Sequence, residues 1–269
     1  MEISLDRLTV CGNAFGSIEN FYKNSSEVKN RGFAKYPYRD LVNFVDGSVL
    51  QIAEIEAQRS GRIKQLRYEF NPNKKEFDKL HMQVIGLMQD VHCTRVDIAF
   101  DVKDIDMSRW KWIDSKSRPY NVYYSGNGQV ETWYVGGKDS EVKIRIYDKA
   151  KERKLSEGVW WRVEVQLRGE PAKLSPFLGG QYFNPFENVT PVVNGHFPEL
   201  DIKRRAMVNY LIDNPSGFSE LANQARSEYK KLLRLVASWE CINFHKIWDE
   251  KSSFVGNEVK GWLDLAKEL

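Results

Sequence analysis

Hydrophobic and polar residues alternate with a period of two along several stretches of the first half of the chain. Ile3–Val10, Val49–Ala57 and Gln65–Phe70 show this alternation, which predicts β-strands. Over Lys74–Val91 the apolar residues instead recur at steps of three and four, which predicts a helix. The N-terminal part therefore combines strands with helix.

A dense block of alternating segments follows. Strands are predicted at Thr94–Val102, Tyr120–Tyr124, Glu131–Val135, Val142–Tyr147 and Trp160–Leu167. The Asn127-Gly128 pair favours a tight hairpin turn, and the charged stretch Asp148–Glu157 favours a short helix. Consecutive strands with helices in only some connections predict an α+β fold, with a central, mainly antiparallel sheet and helices packed on one face.

The last third of the chain has a different pattern. Five of the nine prolines lie in Glu170–Pro198, which predicts an irregular connection. Asp201–Asn214 is predicted to be helical, and an apolar stripe from Leu221 to Trp239 predicts a second helix. We therefore expect one domain over residues 1–199 and a mostly helical region over residues 200–269.

Composition restricts the function classes. The 269 residues include 40 basic and 37 acidic side chains, a net charge of only +3, which excludes a passive DNA-coating protein with a large basic excess. Three widely spaced cysteines indicate neither a disulfide framework nor a zinc site. No apolar run approaches the ~18 residues of a membrane span, so we expect a soluble, cytoplasmic protein without a membrane partner.

Two predicted strands place oxygen donors on one face each. In TRVDIAFDV, Asp97 and Asp101 alternate with apolar residues, and in WWRVEVQLRG, Glu164 and Gln166 project the same way. Such hard ligands favour Mg²⁺ or Mn²⁺. Because residues i and i+4 of a strand lie ~13 Å apart, we predict Asp97 with Glu164 as the main ligands and Asp101 as a weaker ligand or a group behind them.

A plainer interpretation of the same residues stays open. Arg95 with Asp97, and Arg162 with Glu164, would form salt bridges along a solvated sheet face. In that case these strands would hold no metal.

A candidate nucleophile lies in VKIRIYDK. Lys143, Arg145 and Tyr147 share one face of the predicted strand, and Lys149 follows directly. A free phenol, with a pKa near ~10, attacks poorly at neutral pH, but neighbouring cations favour the phenolate and a metal would polarise a phosphate. Tyr134, just before a Gly-Gly turn, competes with Tyr147, and the residues alone leave both open.

Taken together, these stretches resemble the Rep_trans family of plasmid and phage rolling-circle replication initiators, which includes the staphylococcal plasmid replication proteins. The resemblance is carried by SLDRLTV, QLRYEFNPNK, TRVDIAFDV, WYVGGKDSEVKIRIYDKAKER and WWRVEVQLRG, in this order, from the start to about residue 170. The family is related to the HUH endonucleases, with acidic residues in place of the histidine pair, and Glu164-Val165-Gln166 has the spacing of that pair. Gly136-Gly137-Lys138 departs from the Gly-Ser-Arg type of turn expected there.

The resemblance implies an enzyme that nicks and rejoins one strand of origin DNA with a divalent metal, through a 5′-phosphotyrosine, and it places the nucleophile at Tyr147, with Arg145 and Lys149 beside it. It also implies a homodimer, recognition of an origin hairpin by C-terminal elements, and a host replicative helicase as partner. Two alternatives are a non-enzymatic DNA-binding regulator and a metal-dependent phosphodiesterase that uses water.

Basic residues supply candidate DNA contacts. Arg226, Lys230 and Arg234 are spaced by four and share a helix face that suits a phosphate backbone or a groove. A solvated helix face is the alternative. The full set of candidates is Lys143, Arg162, Arg168, Arg204, Arg226, Lys230 and Arg234.

Overall fold

The computed structural model describes residues 1–15, 18–59, 61, 63–116, 118–126, 128–172, 183–193 and 197–267. The strands are β1 (Glu2–Ala14), β2 (Val28–Phe33), β3 (Tyr38–Phe44), β4 (Val49–Ala53), β5 (Leu66–Phe70), β6 (Met88–Lys103), β7 (Trp110–Asp114), β8 (Tyr120–Tyr124), β9 (Val130–Val135), β10 (Val142–Asp148), β11 (Trp160–Arg168) and β12 (Val189–Val193). The helices are α1 (Ile18–Asn24), α2 (Ile55–Gln58), α3 (Asp78–Gly86), α4 (Lys149–Glu152), α5 (Ile202–Asp213), α6 (Asn223–Glu240) and α7 (Phe244–Asp264).

Ten strands form one sheet in the order β2-β3-β4-β5-β1-β6-β11-β10-β9-β8, and β12 pairs with β7 separately. Neighbours such as β1 with β5, β9 with β10, and β8 with β9 run antiparallel. The longest helices, α5, α6 and α7, come after the strands in the chain. The predicted α+β fold with a large antiparallel sheet is confirmed.

The chain divides into two compact units. The first consists of Met1–Glu2, Phe100–Val165 and Phe183–Ser252, and the second of Ile3–Ala99, Gln166–Tyr182 and Ser253–Leu269. Residues 200–252 thus belong to the first unit and the final segment to the second. The predicted boundary after residue 199 stays a prediction.

Each unit has its own apolar core. In the first, buried side chains of β7, β12, α5 and α6 pack together, among them Ile113, Val192, Leu211 and Leu233. In the second, Tyr68 and Phe70 of β5 stack with ring centroids 5.1 Å apart, and Phe70 contacts Trp262 of α7. Within the described ranges, no helix is both long enough and apolar enough to cross a bilayer.

Several predicted elements have different bounds. The helix predicted over Lys74–Val91 ends at Gly86, since strand β6 begins at Met88 and the Leu87 carbonyl accepts a hydrogen bond from the Phe15 amide at 2.7 Å. The apolar period continues past Gly86, but backbone pairing with a distant segment overrides it. The strand predicted over Val49–Ala57 likewise ends at Ala53, ahead of α2.

The segment predicted to be an irregular connection contains strand β12. Its partner is β7, and Pro191 lies opposite Trp112 in this two-stranded pair. A proline is tolerated there because one side of an edge strand has no neighbouring strand, so a backbone N–H on that side is not needed for pairing. Part of the segment, residues 173–182 and 194–196, lies outside the described residues, as does Asn127 of the hairpin turn.

Candidate functional site

The candidate nucleophile lies on β10, whose register with β9 sets its neighbours. Arg145 lies opposite Tyr134, and Tyr147 lies opposite Thr132. Residues directly opposite in an antiparallel pair share a face. This face therefore carries the tyrosines and cations, while Ile144 on the other face is fully buried, as the alternation predicts.

A tight turn sets that register. Gly136 has a φ of +96°, and a Cβ there would come within 2.6 Å of the Val142 carbonyl oxygen. Only glycine fits such a backbone position without displacing the neighbouring strand. Ser140 Oγ accepts a hydrogen bond from the Gly137 amide at 2.8 Å and closes the turn.

Two cations contact Tyr147 at different points. The guanidinium carbon of Arg145 lies 3.8 Å from the ring centroid, and Lys149 Nζ donates to the hydroxyl at 3.3 Å. Tyr147 is 4% exposed and Lys149 is 5% exposed. The structure thus brings together the three residues predicted to be catalytic.

Glu152 was not among the site residues predicted from the sequence. Its carboxylate binds Lys149 Nζ, and Oε1 lies 3.7 Å from Arg145 Nη2. The available signal was its spacing of three from Lys149, which places both side chains on one side of α4. Glu152 holds both cations beside the phenol.

The electrostatics at Tyr147 keep the phenol neutral. Burial raises the pKa of Tyr147 well above its ordinary value, and the carboxylates of Glu164 and Glu152 raise it further. Arg162 and Arg145 act in the opposite direction and lower this pKa. At neutral pH the hydroxyl is therefore protonated, and a phenolate would form only with additional positive charge at the oxygen.

Tyr134, the competing candidate, is half-buried and is contacted mainly over its ring. Lys143 Nζ lies 4.6 Å and the Arg145 guanidinium carbon 5.8 Å from its centroid. The ring of Tyr123 meets it edge-on, at a centroid distance of 5.7 Å. Arg145 is thus shared by the rings of Tyr134 and Tyr147.

Asp97, a predicted metal ligand, is buried and held by Arg95. Arg95 donates to its two oxygens at 2.8 and 2.5 Å, and Gln166 Nε2 donates to Oδ2 at 3.3 Å. Burial raises the pKa of Asp97, and the hydrogen bonds from Arg95 oppose that rise. The salt bridge between Arg95 and Asp97, foreseen in the plainer interpretation, is present.

Asp101 is held in the same way. Arg162 donates to its two oxygens at 2.8 and 2.7 Å, and Trp160 Nε1 donates to Oδ1 at 2.7 Å. Both oxygens of Asp101 are therefore occupied by protein donors, in a largely buried pair. The salt bridge from Arg162 to Asp101 was not among the pairs that the plainer interpretation named, and the pair of Arg162 with Glu164 stays a prediction.

The donor chemistry for a divalent cation is best at β11. Glu164 and Gln166 are half-buried on one face of this strand, between the fully buried Val163, Val165 and Leu167. Their oxygens are the hard ligands that Mg²⁺ and Mn²⁺ prefer. Both oxygens of Asp97 already bind Arg95, and Asp101 fits less well because three protein donors hold it. Within the part of the chain that the structure describes, no group of three or more His, Cys, Asp or Glu side chains could hold a metal.

The predicted basic helix face makes contacts inside the protein. Arg226 donates to the carbonyls of Phe218, Ser219 and Leu221 at 2.8–3.2 Å. Lys230 Nζ donates to Asn188 Oδ1 at 2.7 Å, and Arg234 binds Glu187. These side chains share a structural role that the spacing alone does not reveal.

Of the other candidate DNA contacts, Arg204 is about half exposed and pairs with Glu228 at 3.3 Å and Asp201 at 3.6 Å. Arg168 is half-buried at the end of β11. Lys143 lies over the ring of Tyr134 on β9, and the charge of Arg162 acts on Tyr147.

A large antiparallel sheet that carries a buried tyrosine among cations defines an α+β protein with a candidate phosphoryl-transfer site. A family model described as "Replication initiation factor" (Rep_trans) matches residues 91–204, which include β10, α4 and β11. The resemblance to this family is thereby confirmed.

Relatives from Staphylococcus aureus agree with that match. One "Replication initiation protein" is 31% identical over 211 residues, covering 74% of this chain and 64% of the relative. Another is 27% identical over 251 residues, covering 88% and 77%. The chain thus spans slightly less than two thirds of the length of the first of these relatives. The structure of a rolling circle replication initiator protein from Geobacillus stearothermophilus aligns with 16% identity and a TM-score of 0.48, over 76% of this chain and 91% of the other.

Proposed function

We propose that this protein initiates rolling-circle replication by nicking and rejoining one strand of origin DNA, with Tyr147 as the nucleophile. The observation that supports this most directly is the arrangement at Tyr147, where Lys149 donates to the hydroxyl and Arg145 lies over the ring. The match to replication initiation proteins supports the process in which such chemistry would act.

In the proposed reaction the Tyr147 oxygen forms a bond to the scissile phosphorus as the bond from phosphorus to the 3′ oxygen breaks. The phenolic proton leaves to water, and the departing 3′ oxygen takes up a proton. Lys149, within hydrogen-bonding distance, stabilises the phenolate that develops, and Arg145 holds the ring in place. The 5′-phosphotyrosine retains the energy of the broken bond, so a 3′ hydroxyl can later reseal the strand.

Glu164 and Gln166 of β11 are the residues that would hold a divalent cation, while Asp97 stays a predicted ligand whose oxygens bind Arg95. Such a cation, Mg²⁺ or Mn²⁺, would supply positive charge to the scissile phosphate when bound. The raised pKa of Tyr147 supports this proposal, because the phenol needs more positive charge than Arg145 and Arg162 supply.

The partners belong to the same proposal. We propose a cytoplasmic homodimer that binds an origin hairpin and a host replicative helicase, with the C-terminal region 200–269 contributing to origin recognition. Lys143, Arg162, Arg168 and Arg204 remain proposed DNA contacts, as do Arg226, Lys230 and Arg234, which would have to give up part of their present hydrogen bonds.

Incubation of a supercoiled plasmid carrying the cognate origin with the protein and Mg²⁺ or Mn²⁺ tests this function. We expect one strand to be cut and the protein to be attached to the 5′ end. Clean ends without attached protein would indicate a hydrolase that uses water.

Shifted but uncut DNA would support a second candidate, a non-enzymatic DNA-binding regulator. The observation that favours it is that Arg95 and Arg162 bind both oxygens of Asp97 and Asp101, respectively, as purely structural salt bridges would.

A further inference from the structure

Beyond the nucleophile itself, one sheet face connects an exposed strand with Tyr147. Strand β8 is the last strand in the sheet order, and its Tyr123 lies opposite Thr132 of β9. Thr132 in turn lies opposite Tyr147 of β10, so all three residues share one face. Tyr123 is 57% exposed, whereas Tyr147 is buried. The face therefore leads from solvent to the proposed nucleophile.

Aromatic rings and cations contact one another along this face. Tyr123 meets Tyr134 edge-on, Lys143 lies over Tyr134, and Arg145 contacts the rings of both Tyr134 and Tyr147. We call these five residues the tyrosine track. Two carboxylates are near its buried end, since Glu152 lies 3.7 Å from Arg145 and Glu164 raises the pKa of Tyr147. Lys143 precedes Arg145 and Tyr147 on β10, and Tyr123 lies on β8, which β9 separates from β10.

The core residues of these strands lie on the opposite face from Tyr123. Trp133 is 9% exposed, and Val135, Ile144 and Ile146 are fully buried. Tyr120, on the other side of β8, stacks on Trp133 at a centroid distance of 6.5 Å. The core on that face therefore does not require a large aromatic side chain that is more than half exposed on the polar face.

Exposed aromatic rings beside cations match the chemistry of unpaired DNA. Bases that have lost their partners stack on aromatic side chains, while Lys and Arg bind the phosphates between them. We infer that Tyr123 stacks on an unpaired base of single-stranded DNA and that Lys143 binds its backbone. This inference rests on the proposed function, because the strand bound in this way would be the one that Tyr147 cuts.

Binding of labelled oligothymidylate of about 12 nucleotides, compared with an abasic strand of the same length, tests the inference. We expect wild-type protein to bind oligothymidylate more tightly. Tyr123→Ala should weaken that binding about five- to tenfold, the lower part of the range for one stacked base, and leave abasic binding unchanged. Tyr123→Phe should retain the preference, because the ring remains.

Two further variants separate stacking from charge and from folding. Lys143→Ala should weaken the binding of both oligonucleotides to a similar extent and reduce the dependence of that affinity on salt concentration. Tyr120→Ala, an exposed tyrosine on the same strand but the opposite face, should change neither affinity. Sedimentation of each variant should give the same oligomeric state as wild type.

The inference is overturned if wild type binds neither oligonucleotide or does not distinguish them, or if Tyr123→Ala binds as wild type does. Equal loss on both oligonucleotides, or dissociation of an oligomer by Tyr123→Ala, would indicate a contact between copies of this chain instead. Plasmid nicking by the same preparations keeps the two proposals apart. Nicking without base-dependent binding would contradict only the stacking role of Tyr123. Base-dependent binding without nicking would contradict only the proposed reaction.

Discussion

Arg145 lies over the ring of Tyr147, with its guanidinium carbon 3.8 Å from the ring centroid, while the hydroxyl of the same tyrosine accepts a hydrogen bond from Lys149. The two cations therefore act on different parts of one side chain. A cation over the ring is attracted to the π system and holds the ring in place. A cation at the oxygen stabilises negative charge on that oxygen. The Glu152 carboxylate, which binds Lys149 and lies near Arg145, offsets part of this positive charge and raises the pKa of Tyr147.

Tyr147→Phe should abolish covalent attachment to DNA and leave DNA affinity within about twofold, since only a buried hydroxyl is lost. The measurement is covalent product on supercoiled plasmid, alongside binding of uncut DNA. Tyr134→Phe is the matched control and should still form the adduct. Adduct formation by Tyr147→Phe together with its loss in Tyr134→Phe would assign the nucleophile to Tyr134.

Glu152→Gln should shift the pH profile of nicking to lower pH. The Glu152 carboxylate raises the pKa of Tyr147, so its removal lowers this pKa and increases the phenolate fraction at neutral pH. Single-turnover nicking rates across a pH series give the profile. Arg145→Gln should shift it the opposite way, because Arg145 lowers the same pKa. An unchanged profile in both variants would contradict the proposed role of these charges.

Glu164→Ala should weaken Mn²⁺ binding by about tenfold or more, because the proposed carboxylate ligand is lost. Calorimetric titration measures this directly, and nicking as a function of metal concentration measures it independently. Glu157→Ala, an exposed acid in the connection before β11, is the control and should bind as wild type does. Wild-type affinity in Glu164→Ala would exclude this residue as a ligand.

Asp101→Asn should lower the free energy of unfolding by about 3–5 kcal/mol, because it removes the carboxylate charge that binds the buried Arg162 guanidinium. Urea unfolding measures the change. Glu19→Gln removes a partner of Lys23 in a pair that is more than half exposed, and it should have a much smaller effect. Equal effects would mean that the pair at Asp101 is solvated.

The stability of the protein should fall as the pH decreases below the ordinary pKa of histidine, near ~6.5. His81 is fully buried, with Nδ1 2.7 Å from the Tyr68 hydroxyl, and burial lowers its pKa despite the opposing charges of Asp46 and Asp78. Between the lowered pKa and the ordinary one, the unfolded chain binds more protons, so acid favours unfolding.

Urea unfolding at a series of pH values tests this dependence. His81→Gln should flatten it, whereas the exposed His92→Gln should not. An unchanged slope in His81→Gln would show that another group is responsible.

Residue patterns along the chain were sufficient where the physical cause is local. The two-residue period of a strand places Arg145 and Tyr147 on one face, and Glu164 and Gln166 on one face, whatever the rest of the chain does. The helix predicted over Asp201–Asn214 is observed as Ile202–Asp213, with the Asp201 side chain accepting from the first amides.

Local patterns failed where a distant segment competes. Strand β6 begins at Met88, inside the predicted helix, because its backbone finds partners elsewhere in the chain, and β12 forms in a proline-rich segment because β7 is available to pair with it. No window of adjacent residues contains that information.

The charged side chains show the same division most clearly. Spacing by four determined that Arg226, Lys230 and Arg234 share a helix face, but only the tertiary structure decided that this face binds acceptors within the protein. Likewise the sequence determined that Asp101 and Arg162 lie on strands, and the fold decided that they bind each other across 61 positions. A side chain's direction follows from its own backbone, whereas its partner depends on which backbone comes next to it.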